Sequence, residues 1–329
     1  MHQSQERKRV FRRRAMEAHR AVATVIAQYQ TPELFNEPED SKIARNRAVG
    51  FFPKVHTVWD DPEAFEDAHH LRKGIHTVWY RGLPIDFELT RNSSDVLLVV
   101  FHGALDLQAD LPIFSGAQVV SGLDVARLSF TDPSLYLSPE LPLAWHAGNR
   151  FQPNLQGVTT RLIKKIATSI GARRLILFGS SGGGFASLIQ AASLPEATAV
   201  VANAQTNALL YHRVHVEKYL ALAWGGDRDG FIEAGGNSAV DRFRALDSIP
   251  RVLYMQNSTD TFHIREHLVP FIRGFAEDPN IRLLVGNWGE GHTAPPKELF
   301  NQTLKAVADQ DDKAINVIGF QSATAYNLW

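Results

Sequence analysis

A serine, an aspartate and a histidine stand at three points of the chain where apolar runs end. Ser181 lies in the segment GSSGG (residues 179–183), between a run that predicts a buried strand and a stretch with helical apolar spacing. The pattern G-x-S-x-G in this context is typical of a strained turn that exposes a nucleophilic hydroxyl, because glycines two residues away avoid clashes. The alternative for Ser181 is a Gly-rich turn with a structural role.

The same glycines do not fit a phosphate-binding loop. A Walker A loop ends in Gly-Lys-Ser/Thr, whereas Phe185 follows Gly184 here. The dinucleotide fingerprint requires G-x-G-x-x-G, and the next apolar run, TAVVANA, ends without an acidic residue. The segment therefore favours nucleophilic catalysis over nucleotide binding.

A serine hydroxyl needs a base, and that base needs an orienting acid. The run RVLYMQ is followed shortly by Asp260, and the run IRLLVGN is followed by His292, so the chain order is serine, acid, histidine. The rival residues are His263 and His267, on the helix that follows Asp260, and Asp241, Asp247 and Glu290 as alternative acids. We predict that Ser181, His292 and Asp260 form a catalytic triad.

The oxyanion of such a reaction needs backbone N–H donors. Gly182, directly after the nucleophile, supplies one donor. The run DVLLVVF ends in His102-Gly103-Ala104, where a turn can direct the Ala104 N–H toward the serine. We predict that Gly182 and Ala104 form the oxyanion hole.

Further polar and aromatic residues follow the predicted strands. We expect them to line a substrate pocket, although packing or helix capping is an equal alternative for most, and bracing of its loop is the stronger interpretation for one, His102. The candidates are His102, Trp145, Asn203, Gln205 and Trp288.

Short apolar runs that alternate with helical patterns must position these residues. From residue 71 to residue 313 the pattern predicts an α/β fold, a mostly parallel central sheet with helices on both faces. Functional residues gather at the carboxyl ends of such strands. Residues 1–70 are predicted to be a polar, helical N-terminal extension, residues 207–248 a lid-like insertion, and residues 314–329 a C-terminal tail.

Composition limits the classes of partner. The chain has 329 residues, a formal net charge of −1 and no cysteine, which argues against a general nucleic-acid binder and excludes thiolate chemistry. No apolar run is long enough to span a bilayer and no secretory signal is present, so we expect a cytoplasmic protein. The arginine-rich segment 7–14 is a possible site for an anionic partner, and the oligomeric state stays open.

Over roughly residues 75–310 the chain resembles the α/β-hydrolase superfamily. The resemblance rests on HGA at 102–104, GSSGG at 179–183, Asp260 and GHTAPP around His292. It implies an acyl-enzyme mechanism without a cofactor, and we expect no metal. The oxyanion loop reads HGAL rather than the HGGG of many lipases and esterases. The stretch SFTDPSLYL…LAWHAGN is similar to hydrolase-like proteins encoded near bacterial surface-polysaccharide genes.

The leading functional hypothesis is a serine hydrolase that cleaves an ester or amide, most simply an esterase or deacylase acting on a small or glycan-linked acyl group. An acyltransferase that uses the same triad is the second hypothesis, since an alcohol can replace water at the acyl-enzyme. The third is a non-catalytic binding or scaffold protein on the same fold.

Overall fold

A computed structural model describes residues 38–52, 54–91 and 93–326. Within them, ten strands form one sheet in the order β1-β2-β3-β5-β4-β6-β7-β8-β9-β10. The strands are β1 (His56–Trp59), β2 (Gly74–Tyr80), β3 (Leu83–Leu89), β4 (Val96–Phe101), β5 (Ala126–Phe130), β6 (Arg174–Ser180), β7 (Thr198–Ala202), β8 (Arg251–Asn257), β9 (Ile281–Gly286) and β10 (Gln321–Ser322).

The centre of the sheet is parallel. Strand β4 pairs in parallel with β5 and β6, and the parallel pairing continues through β7 and β8 to β9. Strands β2 and β3 form an antiparallel hairpin that turns at Arg81 and Gly82, which both have positive φ. Strand β3 then pairs antiparallel with β5, so this hairpin joins the edge of the parallel region.

Helices cover both faces of the sheet, as the α/β prediction requires. Alternate residues of β4 enter two separate apolar clusters, with Leu97, Val99 and Phe101 in one and Val96, Leu98 and Val100 in the other. This two-sided burial explains the continuous apolar run, which is typical of parallel strands. The helices are Pro62–Glu66, Leu155–Ile170, Gly182–Ser193, Arg213–Trp224, Arg228–Glu233, Ala239–Arg244, the helical segment 261–272 with a π-helical turn at Ile264–Leu268, Lys297–Ala308 and Asp312–Ile318.

Helix boundaries follow local chemistry. The helix Leu155–Ile170 ends where Gly171 takes a left-handed conformation with φ of 75°, which glycine adopts without steric strain. Asp260 begins the segment 261–272 and accepts a hydrogen bond from the His263 N–H. The predicted acid is therefore also a helix cap, and this fixes its position.

The N-terminal extension differs from the helical prediction in the part that is described. Residues 38–70 contain a 3-10 turn at Val49–Phe51, the strand β1 and one short helix, Pro62–Glu66. Strand β1 pairs in parallel with β2, so residues before position 71 belong to the sheet. Residues 1–37, which include the arginine-rich segment, lie outside the described residues.

The two other predicted segments also pack against the main domain. Residues 207–248 hold three helices whose side chains, including Tyr219, Phe231 and Phe243, are buried in the larger apolar cluster. In the tail, β10 pairs antiparallel with β9, and the helix Asp312–Ile318 contacts Lys297–Ala308. The lid role of residues 207–248 stays a prediction. None of the described helices is long and apolar enough to cross a membrane.

Candidate active site

The nucleophile elbow, residues 179–184, connects β6 to the helix Gly182–Ser193. Ser181 has φ of 56° and ψ of −122°, a strained conformation for a residue with a side chain. A Cβ atom at Gly179 would lie 2.3 Å from the backbone of Gly183, and one at Gly183 would lie 2.2 Å from Phe101 O. The glycines are thus required by close backbone approach, which is the reason expected from the G-x-S-x-G pattern.

Asp260 and His292 are hydrogen-bonded to each other. Asp260 follows β8, His292 follows β9, and the His292 Nδ1 donates to Asp260 Oδ2 at 2.6 Å. The Asp260 side chain is 4 % exposed and that of His292 is 37 % exposed. The structure therefore brings the predicted acid and base together in the geometry that holds an imidazole with Nε2 free to accept a proton.

A second histidine contacts the same carboxylate. His263 Nδ1 lies 2.9 Å from Asp260 Oδ1, and its ring stacks on that of His292 with centroids 4.0 Å apart. Burial raises the pKa of Asp260, but the hydrogen bonds from His263 and His292 outweigh it and hold that pKa well below its usual value. Burial lowers the pKa of His263, although its bond to Asp260 acts in the opposite direction. The carboxylate is ionised and shared by two imidazoles.

Gln205 holds the Ser181 hydroxyl. Its Nε2 donates to Ser181 Oγ at 2.9 Å, and its Oε1 accepts from Trp145 Nε1 at 2.9 Å. Among the described residues, Ser181 Oγ bonds to Gln205 alone and His292 to Asp260 alone. The described residues therefore include no Ser181–His292 hydrogen bond; in substrate-free active sites, catalytic hydrogen bonds are often long and tighten only when substrate is bound.

The oxyanion loop, residues 102–106, lies against the elbow. A Cβ atom at Gly103 would lie 3.6 Å from Ser181 Cβ and 3.7 Å from Gly182 N, so this loop and the elbow are in contact. Gly182 begins a helix, where an N–H has no intrahelical acceptor. Ala104 follows Gly103 in the loop and is exposed. The two predicted donors therefore belong to adjoining backbone segments.

His102 is hydrogen-bonded to the backbone on both sides of its ring. Its Nδ1 donates to Gly103 O at 2.7 Å and its Nε2 accepts from the Asp132 N–H at 3.1 Å. Burial lowers the pKa of His102 to about 4, with a further contribution from nearby His146. Both ring nitrogens are engaged with backbone, which supports bracing as the role of His102.

Arg45 anchors the continuation of the oxyanion loop. Its buried guanidinium donates to Leu141 O and to the carbonyls of Asp106, Leu107 and Ala109. Burial lowers its pKa. No motif in the sequence indicates this contact, because Arg45 lies far from the loop along the chain.

Two asparagines fix the histidine loop, residues 287–293. Asn257 Nδ2 donates to Gly291 O at 2.6 Å, and its Oδ1 accepts from the Trp288 N–H at 3.0 Å. Asn203 Nδ2 donates to Thr293 O, while its Oδ1 accepts from the Asn257 N–H. Asn203 is 1 % exposed. Asn203, which we expect from the sequence to line the substrate pocket, is instead buried and joins β7, β8 and the histidine loop.

The two tryptophans differ in position. Trp145 is 1 % exposed and reaches the site through Gln205. Its side chain would also meet a Cβ atom at Gly182, at 3.5 Å. Trp288 is half-buried and packs on the apolar cluster of the opposite sheet face. Trp145 therefore belongs to the immediate surroundings of Ser181, and pocket lining by Trp288 stays a prediction.

Asp260, His263 and His292 form the one potential metal-ligand group among the described residues, with candidate ligand atoms within 4.8 Å of one another. Tetrahedral zinc with Zn–N near 2.0 Å separates its ligand atoms by about 3.3 Å. The paired atoms here are 2.9 and 2.6 Å apart, the distance of an N–H···O bond. These two N···O distances fit hydrogen bonds better than the ligand spacing of a tetrahedral metal site.

No protein-family model matches the chain, and no curated protein matches its sequence. Solved structures do match. The chain is similar to the capsule O-acetyltransferase of Neisseria meningitidis serogroup A (TM-score 0.51, 14 % identity, covering 72 % of this chain and 94 % of that one). It is also similar to an S-formylglutathione hydrolase from Agrobacterium tumefaciens (TM-score 0.50, 14 % identity, 77 % and 97 %).

A third similar structure is dipeptidyl peptidase 4 of Porphyromonas gingivalis, with a TM-score of 0.52 and 13 % identity, covering 73 % of this chain and 36 % of that one. At such identities the similarity is one of fold. Together with the strand order, it shows that this chain has the α/β-hydrolase fold.

Proposed function

We propose that this chain is a serine hydrolase that cleaves a carboxylic ester through an acyl-enzyme on Ser181. The observation that carries the proposal is the 2.6 Å hydrogen bond between His292 and Asp260. Both residues follow the carboxyl ends of their strands, as the strained Ser181 does. An ionised, buried acid that orients a half-exposed histidine, at the edge of the sheet that also carries a strained serine, supports nucleophilic catalysis.

In the proposed mechanism, Ser181 Oγ attacks the acyl carbon while His292 Nε2 takes the hydroxyl proton. The carbonyl oxygen becomes an oxyanion and is bound by the N–H groups of Gly182 and Ala104. When the tetrahedral intermediate collapses, the bond to the leaving oxygen breaks and His292 returns the proton to that alcohol. Water, activated by the same histidine, then adds to the acyl-enzyme and releases the acid and free Ser181.

Asp260 stabilises the imidazolium that forms twice in this cycle. Its ionisation is consistent with that task, since its pKa lies well below the usual range. We extend the proposal to short acyl groups, because Leu143 and Trp145 pack closely around Gly182: a Cβ atom there would lie 2.5 Å from Leu143 Cδ1. The fold that the chain shares with a capsule O-acetyltransferase supports including acyl groups carried on glycans.

The test is labelling with a fluorophosphonate probe, followed by hydrolysis of p-nitrophenyl acetate. We expect labelling of wild type and none of Ser181→Ala, with hydrolysis reduced about 10³-fold or more. The matched control is Ser180→Ala: this neighbouring hydroxyl donates to Ala202 O, so its loss should leave labelling intact. Folded wild type that is neither labelled nor active would favour a binding or scaffold protein.

Acyl transfer by the same triad is distinguished by its products. In the presence of a sugar alcohol, an acyltransferase forms the sugar ester at the expense of the free acid. A hydrolase yields the free acid at an unchanged rate.

A further inference from the structure

Five side chains form one continuous hydrogen-bonded chain through the candidate site. Ser181 bonds to Gln205, Gln205 to His263, and His263 to Asp260. Asp260 bonds in turn to His292. A serine–histidine–aspartate mechanism requires only the last of these bonds, so His263 and its link to Ser181 call for a separate account.

The indole of Trp145 sets the orientation of Gln205. An indole nitrogen donates and does not accept, so the Gln205 atom that faces Trp145 Nε1 at 2.9 Å must be the carbonyl oxygen. The amide nitrogen then faces Ser181 Oγ at 2.9 Å and His263 Nε2 at 3.1 Å, and each receives one of its two hydrogens. Both N–H groups and the carbonyl oxygen of Gln205 are therefore in hydrogen bonds.

This orientation fixes the tautomer of His263. Because Gln205 donates to it, His263 Nε2 carries no proton. The proton of the neutral ring is therefore on Nδ1, where it donates to Asp260 Oδ1 at 2.9 Å. A proton added at Nε2 would face the Gln205 donor, and its charge would face the stacked ring of His292 at 4.0 Å.

We propose that His263 is a positioning residue for the triad, held neutral in this one tautomer, that orients Asp260 toward His292 and Gln205 toward Ser181. The inference rests on the proposed function. It assigns to His263 a role distinct from that of base, since both of its ring nitrogens are occupied and the side chain is 2 % exposed.

Two consequences follow for the reaction. Gln205 occupies a lone pair of Ser181 Oγ, which leaves the hydroxyl proton free to turn toward His292. Asp260 has a donor on each oxygen, so its carboxylate plane is set before the imidazolium forms. A neutral His263 also adds no repulsion when His292, stacked on it, becomes positive.

The first test uses wild-type protein. Labelled with ¹⁵N-histidine, it should show His263 with a protonated Nδ1 and an unprotonated Nε2 from pH 5.5 to pH 9. Assignment of the signal comes from its absence in His263→Phe. A protonated Nε2 at neutral pH, or an imidazolium at pH 5.5, would overturn the tautomer and with it the proposal.

The second test separates the two bonds. His263→Asn keeps a donor near Nδ1 for Asp260 and loses the acceptor for Gln205; His263→Gln does the reverse; His263→Phe loses both and keeps a ring stacked on His292. We expect kcat on p-nitrophenyl acetate to fall about 10- to 100-fold in His263→Phe and less in each partial variant, with KM within about threefold.

The pH profile of kcat/KM separates a positioning role from a packing role, because loss of packing alone would not shift that profile. Without the His263 donor, Asp260 attracts the His292 imidazolium more strongly, so the acid limb of kcat/KM should move up by about half a pH unit or more in His263→Phe. The control is His267→Asn, a buried histidine one turn further along whose Thr206 N–H contact an asparagine oxygen can replace. Its limb should stay at the wild-type pH.

Failure of this inference differs from failure of the proposed function. If wild type is active and depends on Ser181, but His263→Phe retains full kcat and the wild-type acid limb, the positioning role is wrong and the triad stands. If wild type shows no activity, the tautomer experiment still decides whether His263 is held as the geometry indicates.

Discussion

At the scale of single residues, the site depends on where protons are held. Asp260 receives donors from two rings, Gln205 directs one hydrogen at Ser181, and His292 keeps Nε2 unbonded among the described residues. Each of these states follows from a neighbour with a fixed donor or acceptor character. The chemistry of the site is therefore sensitive to isosteric changes that reverse donor and acceptor.

The acid is tested by such a change. Asp260→Asn keeps the side-chain shape but presents an amide that can hold His292 in the wrong tautomer, and we expect turnover to fall on the order of 10⁴-fold. The measurement is a pH–rate profile on a short activated ester, in which part of the loss should return at high pH. The control is Glu290→Gln on the exposed histidine loop, expected within about tenfold of wild type. A near-silent Asp260→Asn would place the acid elsewhere.

At the scale of elements, close backbone approach holds the elbow together. Gly179→Ala would put a Cβ atom 2.3 Å from the Gly183 backbone, which cannot move without unwinding the first turn of its helix. We expect a loss of about 3 kcal/mol or more in the free energy of unfolding, measured by urea denaturation.

The matched glycine is Gly274, where an added Cβ atom would lie 3.7 Å from Phe271 O, an ordinary contact. Gly274→Ala should be neutral or stabilise the protein by up to about 1 kcal/mol, through the lower entropy of the unfolded chain. Equal stability of the two variants would show that the elbow tolerates a displaced backbone and would contradict the reason given for its glycines.

The oxyanion loop is held by an element distant in sequence. Arg45→Met keeps the length of the side chain but removes the donors to four backbone carbonyls. We expect the unfolding free energy to fall by about 1–3 kcal/mol and kcat to fall at least about tenfold, as the loop moves relative to the elbow. The control is Asn46→Ala, whose bond to Asp110 is exposed and which should change stability by less than about 0.5 kcal/mol. Undiminished kcat in Arg45→Met would mean that the loop is positioned by its other contacts.

At the scale of the whole molecule, buried neutral histidines couple stability to pH. Burial lowers the pKa of His102 to about 4 and that of His146 to about 3. Between pH 6.5 and pH 4 these two histidines bind protons in the unfolded chain but not in the folded chain. The stability that they contribute is therefore fully present above pH 6.5 and is lost on acidification. The depressed pKa of Asp260 acts only below this range.

Each such histidine contributes up to about 1.4 kcal/mol per pH unit to that loss. His146→Asn removes one of them, and asparagine tolerates the positive φ of 52° at this position. We expect its unfolding free energy, measured in urea at pH 7, 6 and 5, to vary less steeply with pH than that of wild type. Parallel slopes would mean that His146 is protonated in the folded state.

Part of the fold and of the site can be predicted from local sequence. Local sequence carried the alternation of strands and helices, the G-x-S-x-G elbow and the carboxyl-end placement of Asp260 and His292. These features follow from periodicity, from backbone sterics and from the rule that parallel strands end on one edge, all of which act over short stretches.

Which polar atoms meet depends on the three-dimensional fold. It placed His263 on Asp260, Gln205 between His263 and Ser181, Arg45 under the oxyanion loop and β1 in the sheet where a helical extension was predicted. These pairings join residues whose separation along the chain carries no periodic signal. A hydrogen bond depends on distances of a few tenths of an ångström between loops, and packing of the whole domain sets those distances.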